Sequence, residues 1–394
     1  MRHGYFCQSS TIICQLFTLI RIASIVPYKI IPAVNGGEKG IFLFLKYLAQ
    51  YAAITAFTVD ENRGEKDHIG FIPVLGSGAN KLRYLNPALF FSIKKWCRKN
   101  GINHVIMEHP YYAWLGYALK KYAGLKLVIH SHNIEAARFK SMNKWWWRMM
   151  HAYEKFAHRQ ADLNFFITAE DKAYAITNYG LEAKKCAVIT YGIEAVAPPT
   201  TEQRQAAKTS VCQELHLPPE TKLILFNGTL DYGPNRDGLD RILNEINPYL
   251  IEHCRVPYKI VICGLRLPES YKQLSSFRDQ HIIYKGFVDD IDVYFRAADL
   301  FINPITDGGG IKTKLVEALG ADTPAVSFVS GAYGVPTAVT GQHLVVIKDG
   351  DCLNFAKAIC AKLVAGKASI PSVFFEHFSW ESIAKKAADK LYDL

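Results

Sequence analysis

Three glycines followed closely by two lysines and a glutamate form the clearest chemical site in the chain. Within Asn303–Val326, Gly308, Gly309 and Gly310 stand where a strand end passes into a helical pattern, and Lys312, Lys314 and Glu317 come next. Backbone without a Cβ can turn sharply and approach a ligand closely. The first amide N–H groups of the following helix favour an anion, and the two lysines add positive charge at the same end. A diphosphate suits such a place, with Glu317 near enough to accept hydrogen bonds from a sugar. Similar loops follow other apolar, strand-like runs. Gly36 and Gly37 come after the first, Glu108 and His109 after a second, and His130-Ser131-His132-Asn133 after a third; Gly228-Thr229 opens the first loop of the second half. In open α/β sheets, ligands bind beyond the carboxyl ends of the strands, where these loops lie.

Five segments in order resemble the motifs of family 4 retaining glycosyltransferases, which have the GT-B fold. They are VPYKIIPAVNGGEKG (Val26–Gly40), HSHNIEAARFK (His130–Lys140) with ADLNFFIT (Ala161–Thr168), FNGTLDYGPNRDGL (Phe226–Leu239), GFVDDIDVYFRAADLFINP (Gly286–Pro304) and FSWESIAKKAADKLY (Phe378–Tyr392). Pro304, Gly308–Gly310, Lys314, Glu317-Ala318 and Pro324-Ala325-Val326 match the family's nucleotide-sugar segment. The family's first glutamate falls at Gly309, as in subgroups with a triglycine run, and its second is Glu317. The resemblance implies transfer of a sugar from a nucleotide-diphosphate donor to a hydroxyl, with retention, in cell-surface polysaccharide or glycolipid assembly. It implies that Gly36, Gly37, Gly228, Gly308–Gly310, Lys312 and Glu317 bind the donor. The resemblance also places Phe287 and Val288 beside the nucleotide base and implies that Lys314 stabilises the leaving diphosphate. A histidine contacts the donor sugar, with His132 the first choice and His130 the second. Glu108 and His109 are candidates to face the acceptor. The family's basic residue after the glycine at 228 is absent, and Asn235 or Arg236 is the expected substitute. No cofactor or metal is implied. The spacing of Asp290 and Asp292 matches a metal-binding pattern of another glycosyltransferase fold, yet the pair directly precedes a helical pattern, where carboxylates serve as caps. Two rival readings are a non-catalytic sugar-nucleotide-binding subunit and a nucleotide-sugar epimerase of the same fold.

At 394 residues the chain suits two domains of similar size. A hydrophobic share of 49% with 21% charged residues is that of a globular protein. The nine cysteines are scattered without any Cys-x-x-Cys, and read as reduced thiols of a cytoplasmic protein. The net charge of +10 divides into +12 for residues 1–200 and −2 for the rest. No nucleic-acid module accompanies it, so an anionic membrane surface or a lipid-linked acceptor is the expected partner of the first half, beside the alternative of a merely basic surface. Lys144-Trp145-Trp146-Trp147-Arg148 suits a membrane interface; Trp146, Met149, Met150 and Tyr153 at helical spacing equally suit a core.

Alternation of apolar runs and helical patterns predicts an α/β fold of two Rossmann-like, doubly wound domains facing across a cleft, at 1–197 and 198–394. Residues 1–19 read as an extension before the first strand, or as a short membrane-associating helix. Lys81–Asn100 reads as one helix with a start displaced by Pro87, and Asn143–Gln160 as another. Pro198-Pro199 and the polar residues through Ser210 read as the linker. By the resemblance, the final helix, 378–394, crosses back onto the first domain.

Overall fold

The computed structural model describes residues 20–33, 35–365 and 368–394. The extension expected at residues 1–19 lies outside them. No helix among the described residues is long and apolar enough to cross a membrane. Strands β1 (Arg21–Val26), β2 (Ala53–Thr58), β3 (Gly64–Lys66), β4 (Ile69–Pro73), β5 (His104–Glu108), β6 (Lys126–Ser131), β7 (Leu163–Phe166) and β8 (Cys186–Val188) form one sheet. Its order is β3-β4-β2-β1-β5-β6-β7-β8, parallel except where β3 joins β4. Strands β9 (Lys222–Asn227), β10 (Tyr258–Cys263), β11 (Ile282–Gly286), β12 (Leu300–Asn303), β13 (Ala325–Phe328) and β14 (Leu344–Ile347) form a second, in the order β11-β10-β9-β12-β13-β14, parallel throughout. Runs such as HVIME of β5 and LFIN of β12 are buried on both faces, because parallel strands need helices on either side. This is the expected α/β architecture.

Three local expectations are corrected. Residues 201–214 are a helix, not a linker. Thr200 caps it in a reciprocal box with Gln203, and Ala207, Val211 and Cys212 turn inward. Residues 81–100 split at Asn86-Pro87 into a short 3-10 turn, Lys81–Leu85, and a helix, Ala88–Lys99. Pro87 has no N–H, and it disfavours a helical residue before it. The tryptophan-rich helix begins only at Trp147, after a separate helix, Glu135–Ser141; Met150 is buried but Met149 is 66% exposed.

One apolar cluster runs through both halves and holds them together. Phe44, Ile193, Leu319, Phe378 and Trp380 belong to it. Burying side chains of this size contributes about 1.5–3 kcal/mol each. Ile193 N–H donates to the Phe378 carbonyl at 2.7 Å, and Trp380 N–H donates to that of Ile193 at 3.0 Å. The helix Trp380–Tyr392 lies along Gly36–Leu48, and the Tyr392 hydroxyl donates to the Tyr51 carbonyl at 3.2 Å.

Candidate active site

The loops after β1, β5 and β6 meet the triglycine loop after β12. Asn35 caps the helix Gly36–Leu48 through its side chain. A Cβ on Gly36 would lie 2.6 Å from Thr313 Oγ1, at the start of the helix Thr313–Gly320. A glycine there is what lets the first half touch that helix end. Gly37 stands next to it on the cavity wall. Gly308 and Gly310 adopt positive φ, 96° and 70°. A Cβ on Gly310 would come within 3.2 Å of the His132 carbonyl. One on Gly309 would meet Arg138 Cβ at 3.8 Å and Asn133 Cβ at 3.9 Å. The place of the family's first glutamate thus abuts two side chains from the opposite half.

Lys314 is braced at the helix start. Its ammonium donates to the Asn227 carbonyl at 2.9 Å and to Asn235 Oδ1 at 3.0 Å, and lies 4.9 Å from the Phe226 ring centre. Asn235 in turn donates to the Thr229 carbonyl at 2.9 Å, and its amide lies so close over Gly228 that a Cβ there would collide at 2.7 Å. Of the two residues expected to replace the missing basic one, Asn235 joins Lys314, whereas Arg236 is exposed. Burial first, and Lys312 second, push Lys314 down to about 7. Lys312 donates to the carbonyls of Gly308 and Gly310, at 2.6 and 3.0 Å, so it stiffens the glycine loop; burial pushes it down to about 8. Phe287 is exposed, and Val288 is partly buried against the core. Asp290 caps the helix Ile291–Ala297, its side chain accepting from Asp292 N–H at 2.9 Å.

Glu317 spans the cleft. Its Oε1 accepts from Lys39 Nζ at 3.1 Å and from the Tyr191 hydroxyl at 2.8 Å. Both donors belong to the first half, and Oε2 carries no protein hydrogen bond among the described residues.

Facing the glycine loop is a stack of imidazoles. His109 and His132 rings lie 4.6 Å apart, and His130 and His132 rings 4.3 Å apart. Glu108 and His130 are register partners on β5 and β6, which brings their side chains to one spot. Glu108 Oε2 lies 2.8 Å from His132 Nε2 and 2.9 Å from His130 Nδ1. Burial alone would raise the Glu108 carboxyl; the His130 and His132 imidazoles outweigh it and hold it at about 2. His132 is pushed down to about 3, by burial and then by His130 and His109, so it is neutral at ordinary pH. His109 Nδ1 lies 3.2 Å from Glu135 Oε1, and His109 Nε2 is 2.8 Å from the Tyr28 hydroxyl. Arg138 donates to Glu135 at 2.6 Å and to the Tyr111 hydroxyl at 3.3 Å. Burial alone would raise Glu135 too, but His109 and Arg138 bring it to about 2. Glu154 holds this corner in place, accepting from the N–H groups of Glu135 and Ala136 at 2.8 and 2.7 Å.

A cavity of about 320 Å³ lies between His132, His109, Tyr28 and Arg138 on one side and Gly309, Gly310 and Thr313 on the other. A sugar-sized ligand fits that volume, at the low end of ordinary ligand pockets. A larger cavity, about 780 Å³, adjoins Lys39, Asp292, Arg296 and Glu317. Tyr28, Tyr111, Glu135, Arg138, Thr313 and Tyr191 complete the site and were not singled out from sequence. Tyr28, Glu135 and Arg138 lie within the motif segments, and Thr313 stands between Lys312 and Lys314, so their neighbourhood was visible in sequence although their contacts were not.

Residues 34–197 match the model of Glycosyltransferase Family 4, and residues 221–364 that of Glycosyl transferases group 1. The chain belongs to the family 4, group 1 glycosyltransferases. Its fold is GT-B. HepE of Anabaena in complex with UDP superposes with a TM-score of 0.70 at 17% identity, over 95% of this chain and all (100%) of that one. Sucrose-phosphate synthase of Thermosynechococcus elongatus gives 0.69 at 16%, over 95% and 98%. At these identities the likeness is one of fold. A Klebsiella pneumoniae protein described as an uncharacterized 44.6 kDa protein in the cps region is 27% identical over 177 residues, 43% of this chain and 45% of that protein.

Proposed function

We propose that this glycosyltransferase moves a sugar from a nucleotide diphosphate to a hydroxyl of a glycan or lipid-linked acceptor, with retention and without metal, in polysaccharide or glycolipid assembly. The observation that carries the reading is the helix start at Thr313, where Gly309, Gly310 and Thr313 face Gly36 and His132 across a sugar-sized cavity, with Lys314 and Glu317 following on the same helix. Positive charge fixed in advance at a departing diphosphate lowers the barrier to its departure. Lys314 and the helix amides supply it. The sugar occupies the cavity beside His132, and the acceptor enters past His109 and Tyr111. Attack comes from the face the diphosphate leaves. HepE was crystallised with UDP-glucose, and the Klebsiella relative comes from a cps region, which favours a uridine nucleotide and a polysaccharide product.

The test is a thermal-shift panel of UDP-, GDP-, ADP- and dTDP-sugars, then turnover in excess EDTA. A donor at a hundredfold excess over its dissociation constant stabilises the fold by about 2.7 kcal/mol. Binding without turnover would favour a non-catalytic subunit. Loss of turnover in EDTA, restored by a divalent ion, would recast Glu108, His130 and His132 as a metal site; their ligand-type atoms lie within 4.8 Å of one another.

Glu317 is assigned the nucleotide ribose. Charge-assisted hydrogen bonds of that kind are worth about 1.5–3 kcal/mol. Glu317→Gln should therefore raise the donor KM about tenfold while kcat changes less, since the ribose contact is alike in ground and transition states. Donor-saturation kinetics check this, with Tyr191→Phe as control. That variant removes one of the cross-cleft bonds and leaves the carboxylate. If it raises KM as much as Glu317→Gln does, Glu317 acts by joining the domains and not by holding the donor.

A further inference from the structure

Between His68 and Tyr153 the chain has thirteen Lys and Arg and only two carboxylates, Glu108 and Glu135. Both carboxylates are 1% exposed and spent inside the active site. The surface that this segment presents to solvent thus carries no negative side chain. The same surface exposes large apolar groups: Leu82 is 74% exposed, Leu85 76%, Phe91 69%, Trp145 83% and Met149 66%. Apolar side chains scattered singly need no explanation, but a set interleaved with one sign of charge does.

The fold gathers them. The helices Ala88–Lys99, Ala113–Ala123 and Trp147–Gln160 neighbour one another beside the sheet. Phe90 touches both Phe91 and Tyr122, with ring centres 5.2 and 6.0 Å apart, and Lys94 and Lys121 lie over these rings at 5.1 and 5.4 Å. Leu82 and Leu85 flank Tyr84, whose carbonyl accepts from the Trp114 indole at 2.7 Å. Tyr84 also meets Tyr111, 5.8 Å between ring centres, and the Tyr111 hydroxyl accepts from Arg138, which also reaches the sulfur of the exposed Met142 at 3.9 Å. Tyr111 therefore links two of these patches to the mouth of the sugar-sized cavity that it lines.

We propose that this face is a docking surface for an anionic lipid bilayer, and that it sets the Tyr111 mouth of the cavity toward the membrane. Lysine and arginine stems lie along apolar surface while their charges reach out, and tryptophan and tyrosine prefer the layer between lipid and water. Each basic side chain held at an anionic membrane surface multiplies binding roughly fivefold. A nucleic acid would also be drawn by the charge, but it gives no reason for exposed Leu82, Leu85, Phe91 and Met149. The inference concerns binding alone, so it stands or falls apart from catalysis.

The test is cosedimentation of the full chain with phosphatidylcholine vesicles, with and without phosphatidylglycerol, at low and high salt. Two variants accompany it: Leu82→Ser/Phe91→Ser/Trp145→Ser, and Lys94→Glu/Lys95→Glu/Arg98→Glu. All six side chains but Lys94 are exposed, and circular dichroism checks that the fold survives. Binding to the anionic vesicles alone is expected, weakened by salt, and reduced at least about tenfold by either variant. No vesicle binding, or wild-type binding by both variants, overturns the proposal. So does charge-dependent binding that the apolar variant leaves intact, which would mark a general polyanion surface.

Discussion

Lys314→Ala should lower kcat/KM for sugar transfer by about 10²–10³, the scale of losing one preorganised group that meets developing charge. The backbone around it has no second cation in the same place, because Lys312 is turned onto the Gly308 and Gly310 carbonyls. The fold should survive. What the substitution removes is an ammonium donating to Asn227 and Asn235, in a setting that pushes it from the ordinary 10.5 down to about 7. The sign of that shift gives a second readout. A lysine whose folded value lies below its unfolded value holds fewer protons when folded, so stability should rise with pH between about 7 and 10.5. Lys314→Ala should flatten part of that rise. A diphosphate beside Lys314 reverses the balance and draws a proton back. Donor binding should then take up protons above pH 7, seen in calorimetry as a heat that depends on the buffer, and Lys314→Ala should abolish the uptake. Unchanged turnover at saturating donor, or uptake that persists, would remove Lys314 from the site.

The contrast between what sequence revealed and what it hid has a physical basis. Strands β9, β10, β12 and β13 are continuous apolar runs because both faces are buried, and the triglycine loop is visible because glycine adopts the positive φ values at Gly308 and Gly310 without steric cost. The helix Thr201–Glu214 escaped because it is polar almost all round and buries only Ala207, Val211 and Cys212; its real signal was the Thr200–Gln203 capping box. The three-residue strand β8 left too little pattern to find. In the site, each half's own loops could be located, since a loop after a buried strand is a local feature. The contacts between distant segments could not. Tyr28 reaches His109 only once the first sheet has folded, and Lys39 and Tyr191 reach Glu317, and Gly36 reaches Thr313, only once the two sheets have docked. Gly309 shows both sides of this. Its lack of a carboxylate is plain in sequence, while Arg138 and Asn133 beside it come from the other sheet's loop.

Glu108→Gln should lower kcat about a hundredfold, nearly as much as His132→Ala, although Glu108 itself is buried behind the histidine. An ionised carboxylate can only accept hydrogen bonds. Its contact with His132 Nε2 at 2.8 Å therefore places the hydrogen on Nε2 and leaves Nδ1 of the neutral ring as the acceptor. That is the form suited to take a hydrogen bond from a sugar hydroxyl. Glutamine keeps the shape but carries an amide donor as well as an acceptor, so the ring is no longer held in one tautomer, and His130 loses its charged neighbour. Glu108 is thus a positioning residue acting through His132. The double variant decides it. If the carboxylate works only through the ring, Glu108→Gln/His132→Ala should be no slower than His132→Ala alone, a coupling close to the full effect of Glu108→Gln. Thermal unfolding belongs beside the kinetics, because leaving a buried hydrogen-bonding group without its partner can cost about 1–3 kcal/mol of stability and mimic a catalytic loss. Additive losses in kcat would mean that Glu108 meets the substrate on its own account. Wild-type kcat in Glu108→Gln, with His132→Ala inactive, would mean that the ring needs no carboxylate to hold its proton.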